Sequence, residues 1–184
     1  NTTNMCGIYG FISKNTTEQS LVQATDTLNL RGPDSGGYYF KSPLGLGHRR
    51  LSIIDLSTGN QPMFTEDKNL ILVFNGEIYN FLALKKELQS LSYTFNTSSD
   101  TEVILKAYQE WGLKGCLNRL EGMFAFSLRD ENIKKLFVVL DRFGEKPLYY
   151  TKNQNGFFFA SELKALKEYY SKQHLSKKAL NLFF

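Results

Sequence analysis

The sequence predicts an α+β protein whose sheet is antiparallel. Two observations carry that reading: hairpin-like pairs of apolar strands recur along the chain, and amphipathic segments with a helical period stand between them. A third sets the scale. With 184 residues, 42% of them hydrophobic and 14% aromatic, the chain can bury one substantial core, and a single domain is expected.

Residues 8–12 read as a strand, and residues 18–30 as a helix because Leu21, Ala24, Thr25 and Leu28 fall on one face. Pro33 disfavours helix at Gly32, so the Gly-Pro-Asp-Ser-Gly-Gly run ending at Gly37 reads as a loop. Residues 38–41 and 44–47 form a hairpin pattern around Ser42-Pro43. The β-branched run 69–74 suits a buried strand, and Phe81, Leu84, Leu88 and Leu91 give a helical face just beyond Asn75-Gly76. That pair is therefore expected in a strand-to-helix turn that frees the Gly76 N–H for a ligand. Ser99-Asp100-Thr101-Glu102 matches a capping box, Ser99 as N-cap and Glu102 at N3, ahead of Val103, Ile104, Ala107, Tyr108 and Trp111. Hairpins follow at 123–129 with 135–140 and at 148–151 with 157–160. Residues 176–184 repeat a helical pattern that stops without a cap.

Charge and cysteine content exclude several functions. A net charge of +4 from 22 basic and 18 acidic residues, with no block of either sign, gives no nucleic-acid or membrane footprint. Two cysteines, Cys6 and Cys116, and two histidines, His48 and His174, offer neither a disulfide framework nor zinc-ligand spacing, so no metal is expected. No apolar run is long enough to span a bilayer, and Asn1-Thr2-Thr3-Asn4 lacks the makings of a signal peptide. A cytoplasmic protein fits best.

Chemistry concentrates at Met5-Cys6-Gly7-Ile8. If Met5 is removed, Cys6 carries a thiol and an α-amine together, and an amine with an ordinary pKa of ~7.7–8.0 can take the proton of its own thiol. Read alone, the stretch fits a buried core cysteine better. Arg49 and Arg50 fit an anion site or a solvated surface, and Asp100 fits a helix-dipole partner.

In order and spacing, Met5-Cys6-Gly7-Ile8, Arg31-Gly32-Pro33-Asp34, Arg50-Leu51-Ser52-Ile53, Asn75-Gly76-Glu77-Ile78-Tyr79-Asn80, Ser99-Asp100-Thr101-Glu102 and Gly122-Met123-Phe124-Ala125 closely resemble the class II glutamine amidotransferases. The glutaminase domains of glutamine-hydrolysing asparagine synthetases are the nearest match. Asp141-Arg142-Phe143-Gly144, Lys146-Pro147-Leu148-Tyr149 and Ser161-Glu162-Leu163-Lys164-Ala165-Leu166 extend the likeness. The resemblance implies an N-terminal nucleophile hydrolase fold, an αββα sandwich of two antiparallel sheets with outer helices. It also implies roles. Cys6 would be the nucleophile, forming a thioester with release of ammonia; Asn75 and Gly76 would hold the oxyanion. Arg50 would bind the α-carboxylate of glutamine and Asp100 its α-ammonium, with Leu51, Ser52, Ile53, Ile54 and Glu77 lining the same pocket. Arg31 and Asp34 would hold the loop near the thiol.

By the same resemblance, residues 5–170 form the glutaminase domain, residues 1–4 are an extension or cloning remnant, and residues 171–184 begin a linker helix toward a missing synthetase domain. The Ser-Gly-Gly-x-Asp-Ser loop of that synthetase half is absent; Asp34-Ser35-Gly36-Gly37 has the wrong order. No cofactor is expected in this chain, ATP and Mg being expected only with the synthetase. Expected partners are L-glutamine and a synthetase domain or subunit that receives ammonia; a homo-oligomer is left open. Two alternatives stand beside this one: a catalytically silent glutamine-binding regulatory module, and an amidotransferase half serving sugar or cell-surface polysaccharide modification.

Overall fold

A computed structural model describes residues 5–51 and 59–169 of the chain. Its elements run β1 (Gly7–Ile12), α1 (Glu18–Asp26), β2 (Ser35–Lys41), β3 (Leu44–Arg50), β4 (Met63–Phe64), β5 (Leu70–Ile78), α2 (Phe81–Ser90) and α3 (Asp100–Arg119), then β6 (Gly122–Asp130), β7 (Lys135–Leu140), β8 (Tyr149–Asn153), β9 (Gly156–Ala160) and a 3-10 helix (Leu163–Tyr169). The expected linker helix at 171–184 and the extension 1–4 lie outside the described residues.

The strands build two sheets, one in the order β2-β3-β1-β9-β8 and the other β4-β5-β6-β7, with antiparallel pairing throughout. Side-chain alternation along the strands then sets the layers. In β5, Leu70, Leu72, Phe74 and Ile78 pack under α2 and α3 with Leu84, Leu88, Val103 and Ile104, while Ile71 and Val73 face the other sheet. In β1, Tyr9 and Phe11 pack against Leu21 and Leu28 and against Leu166 of the 3-10 helix, while Ile8 turns inward to meet Ile71, Val73 and Phe159. Apolar clusters outside each sheet and between them give four layers, αββα.

Local chemistry accounts for most boundaries. Thr17 caps α1, its side chain accepting from Ser20 N at 3.2 Å. The helix is shorter than expected: beyond Asp26 the chain continues as tight turns, Leu28 N to Thr25 O at 3.0 Å and Arg31 N to Leu28 O at 2.9 Å, which keep Leu28 on the buried face. Ser99 caps α3 as expected, accepting from Thr101 N at 3.2 Å, but the reciprocal half of the box is absent. Glu102 instead accepts from Asn96 N at 3.0 Å and Thr97 N at 2.7 Å, tying down the incoming loop. Within α3, Gly112 takes a left-handed φ of 64° and kinks the helix.

Two expectations are corrected. The run to Gly37 is not all loop: Ser35, Gly36 and Gly37 pair with Arg50, Arg49 and His48 in β2. A side chain at Gly37 would strike the carbonyl of Gln61, so the glycine marks a close crossing by another segment and not a chain reversal. Nor is Asn75-Gly76 a turn. The strand continues through it to Ile78, with Asn75 opposite Ala125 and Gly76 opposite Phe124, because sheet pairing overrides the turn propensity of that dipeptide.

Candidate active site

At one end of the sandwich, a cleft of about 320 Å³ opens where β1 begins and β5 ends. It is lined by Cys6, Arg50, Leu51, Asn75, Gly76, Glu77 and Asp100, and also by Met5, Gln61 and Lys146. Every described residue singled out for binding or catalysis by sequence therefore meets here, from four separate segments. Ser52, Ile53 and Ile54 lie outside the described residues. A larger hollow of about 670 Å³ sits at the far end of β1, around Lys14, Lys152 and Asn155, with no cysteine in its lining.

Cys6 is partly exposed. Its Sγ donates to Leu51 O at 3.7 Å and accepts from Leu51 N at 3.4 Å, so the residue after β3 brackets the sulfur. Burial pushes the thiol above its ordinary range, while the Leu51 N–H and the charges of Arg50, Lys146 and Arg31 pull the other way. The main chain around it is clamped by Arg31: its carbonyl accepts from Met5 N at 3.0 Å and its Nε donates to Cys6 O at 3.0 Å, while Nη1 pairs with Glu162 at 3.5 Å. Asp34 N donates to Arg50 O at 3.0 Å, closing the loop onto β3.

Across the cleft, β5 presents a broken ladder. Its partner β4 is two residues long, pairing only with Ile71 and Leu72, so among the described residues no strand lies beside that edge of β5 beyond Leu72. Phe74 N on that edge donates to Gln61 Oε1 at 2.6 Å, and Ile78 N to Asp100 Oδ2 at 3.1 Å. With the period of two, the Gly76 N–H points the same way, between these two satisfied donors and into the cleft. The residue is glycine because a Cβ there would strike Met123 O and Phe124 Cα of β6. Beside it, the Asn75 side chain belongs to the inward-facing set with Ile71 and Val73. It is 1% exposed, and its Nδ2 has no hydrogen-bond partner among the described residues. A buried amide donor left unmatched costs ~1–3 kcal/mol, so in a cleft that also holds Cys6 it is a standing demand for an acceptor.

The charged residues divide by face. Arg50 is 6% exposed and lines the cleft, its Nη1 donating to Asn60 Oδ1 at 3.2 Å. Arg49 turns to the opposite face and is used on Gly32 O, Pro33 O and Asp26. Asp100, in the first turn of α3, has its pKa raised by burial against the lowering effect of Ile78 and Thr101 N–H. Behind the site, buried His48 on β3 bonds through Nε2 to Phe74 O at 3.1 Å, bridging the two sheets one residue before Asn75; desolvation lowers its pKa to about 3, and the ring is neutral.

Sequence reasoning did not single out Gln61 or Lys146. Gln61 carries no local signal apart from its neighbour Pro62, and Lys146, though inside a matched motif, is separated from Cys6 by most of the chain. Only the tertiary fold brings them together.

A chemical function can be read from this geometry: a bracketed sulfur shares one cleft with an unmatched amide donor, a strand N–H, a cation and an anion. Known proteins agree. Residues 5–184 match a family model described as a glutamine amidotransferase domain. The "Asparagine synthetase [glutamine-hydrolyzing] 1" of Bacillus subtilis is 41% identical over 97% of this chain and 29% of its own length. The "Asparagine synthetase B [glutamine-hydrolyzing]" of Escherichia coli is 40% identical over 88% of this chain and 30% of its own. The chain thus spans less than a third of these curated relatives. Among solved structures, a glutamine phosphoribosylpyrophosphate amidotransferase from B. subtilis, complexed with ADP and GMP, superposes with a TM-score of 0.75 and 25% identity, covering 88% of this chain and 43% of that one.

Proposed function

The chain belongs to the class II glutamine amidotransferases, and from that membership we propose that it hydrolyses the side-chain amide of L-glutamine at Cys6, supplying ammonia to a synthetase domain or subunit of the asparagine synthetase kind. The thiolate attacks the carboxamide carbon, and the carbonyl oxygen becomes an oxyanion that accepts from Asn75 Nδ2 and Gly76 N. As the C–N bond breaks, the nitrogen takes up the proton that left the thiol and departs as ammonia. A thioester remains, and water cleaves it to glutamate and the free thiol. Arg50 receives the α-carboxylate and Asp100 the α-ammonium, which selects an amino acid over a simple amide.

The observation that carries this reading is the unmatched donor Asn75 Nδ2, beside a Gly76 N–H that the strand period directs away from β6, both residues lining the cleft that holds Cys6. A synthetase relative would use ATP and Mg to activate the acceptor. Among the described residues no group of three or more His, Cys, Asp or Glu side chains could hold a metal, and no step here is routed through either. Incubation with L-glutamine, with glutamate and ammonia both measured, tests the proposal. Equimolar release that disappears in Cys6→Ala supports it, whereas saturable glutamine binding without ammonia would support the silent regulatory module.

A further inference from the structure

Lys146 is 6% exposed, a burial that lysine rarely accepts without a counter-charge. Its backbone is fixed by an anchor in the loop after β7. The carboxylate of Asp141 accepts at Oδ1 from Phe143 N (3.0 Å) and Glu145 N (3.1 Å), and at Oδ2 from Phe124 N (3.2 Å) and Lys146 N (3.2 Å). Burial works against charge on Asp141, but the four donors outweigh it and hold its pKa below the usual carboxylate range. From this anchor the side chain reaches to the cleft, where Nζ lies 3.0 Å from Met5 Sδ. A thioether is a weak acceptor. Among the described residues, none of the ion pairs involves Lys146.

A buried lysine is thus held in the cleft of the nucleophile with, among the described residues, a thioether as its side-chain contact. The groups acting on it are burial and Arg31, which disfavour its charge, and Cys6, Glu77 and Glu145, which favour it. Those acting on Cys6 are Leu51 N–H, Arg50, Lys146 and Arg31.

We propose that Lys146 is a positioning residue for the nucleophile, its ammonium setting the field in which Cys6, once Met5 is removed, passes its thiol proton to its own α-amine. The proposal rests on Cys6 being the nucleophile. When Met5 leaves, Nζ loses the thioether and faces the new amino terminus. A like charge there disfavours the α-ammonium and leaves the amine free to act as base, while the same charge favours the thiolate. Both effects extend activity toward lower pH.

The test uses the chain beginning at Cys6, as wild type, Lys146→Met and Lys146→Arg. Two quantities are followed against pH: kcat/KM for L-glutamine, and the rate of Cys6 alkylation by iodoacetamide, read by peptide mapping so that buried Cys116 is scored apart. In Lys146→Met the acidic limb should move up by about one pH unit, the low end of what a neighbouring charge does. Alkylation near pH 7 should fall ~10-fold, following the thiolate fraction, with the gap closing at alkaline pH. Lys146→Arg should restore both. A uniform loss of rate at every pH with the limb unmoved, or no change at all, overturns the proposal. If Lys146→Met does not fold, Lys146→Gln carries the same comparison. The alkylation arm reads Lys146 even if no glutamine is hydrolysed, and hydrolysis persisting in Cys6→Ala would sink the assignment of Cys6 instead.

Discussion

Replacing Asn75 with alanine should move activity and stability in opposite senses. Its Nδ2 is buried without a partner, so in the free protein the side chain carries an unsatisfied donor worth ~1–3 kcal/mol against folding. Truncation to alanine relieves that cost and gives up the packing of a few atoms, worth about 1–2 kcal/mol. The net change in stability is therefore near zero or favourable, and for a domain of this size each 1 kcal/mol shifts Tm by ~2–4 °C. Turnover should behave otherwise. Loss of one of two oxyanion donors typically lowers kcat ~10²–10³-fold, about 3–4 kcal/mol, with little change in KM because the donor is matched only when the oxygen carries charge. Thermal denaturation and steady-state ammonia release on the same preparation decide the matter. A fall in Tm of several degrees with kcat within a factor of a few of wild type would mean that Asn75 is a structural amide, and the oxyanion assignment would be withdrawn.

Arg50→Ala and Asp100→Ala should each raise KM for glutamine steeply, by ~2–5 kcal/mol in binding, since each strands one charge of a zwitterion in a partly desolvated cleft; initial-rate kinetics should separate this signature from that of Asn75→Ala. Conversion of the 184-residue chain to one starting at Cys6 should raise kcat at least ~10²-fold, because an amide nitrogen at Cys6 cannot serve as base; equal ammonia release from the two forms, with termini confirmed by mass, would mean another group activates the thiol. His48 gives a pH signature. Its pKa is about 3 in the fold against ~6.5 when unfolded, so its contribution to stability is complete above pH 6.5 and is lost as pH falls toward 3, roughly 2 kcal/mol of it by pH 5. Denaturant titrations should show that slope in the wild type and a flatter one in His48→Gln.

Much of the fold was legible because period-two and helical patterns are local: the hairpins β2-β3, β6-β7 and β8-β9 and the apolar face of α1 follow from residues near one another in sequence. The site was legible where a motif holds its residues within a few positions, as at Asn75-Gly76-Glu77. What escaped was decided between distant segments. Gly36 and Gly37 carry a turn composition, yet they are strand residues because β3 pairs with them, and Gly37 is glycine because Gln61 crosses over it. Asn75-Gly76 looks like a turn until β6 supplies the partner that keeps it extended. Lys146 and Gln61 enter the cleft through tertiary contacts with Met5 and with Phe74, and such contacts leave no periodic trace.

The shortness of β4 sets a rivalry between sheet growth and catalysis. Continued in its own register, with Met63 opposite Leu72, β4 would bring Gln61 opposite Phe74 and Gly59 opposite Gly76. Main-chain carbonyls would then reach the very donors left open to the substrate. Gln61 instead answers Phe74 with its side chain in place of its backbone, so the main chain does not carry the ladder onward. The slot is thus a gap the width of one strand, kept vacant where a side-chain amide stands in for the backbone. A change that lets the segment pair onward would complete the sheet and silence the enzyme in the same act, without touching Cys6.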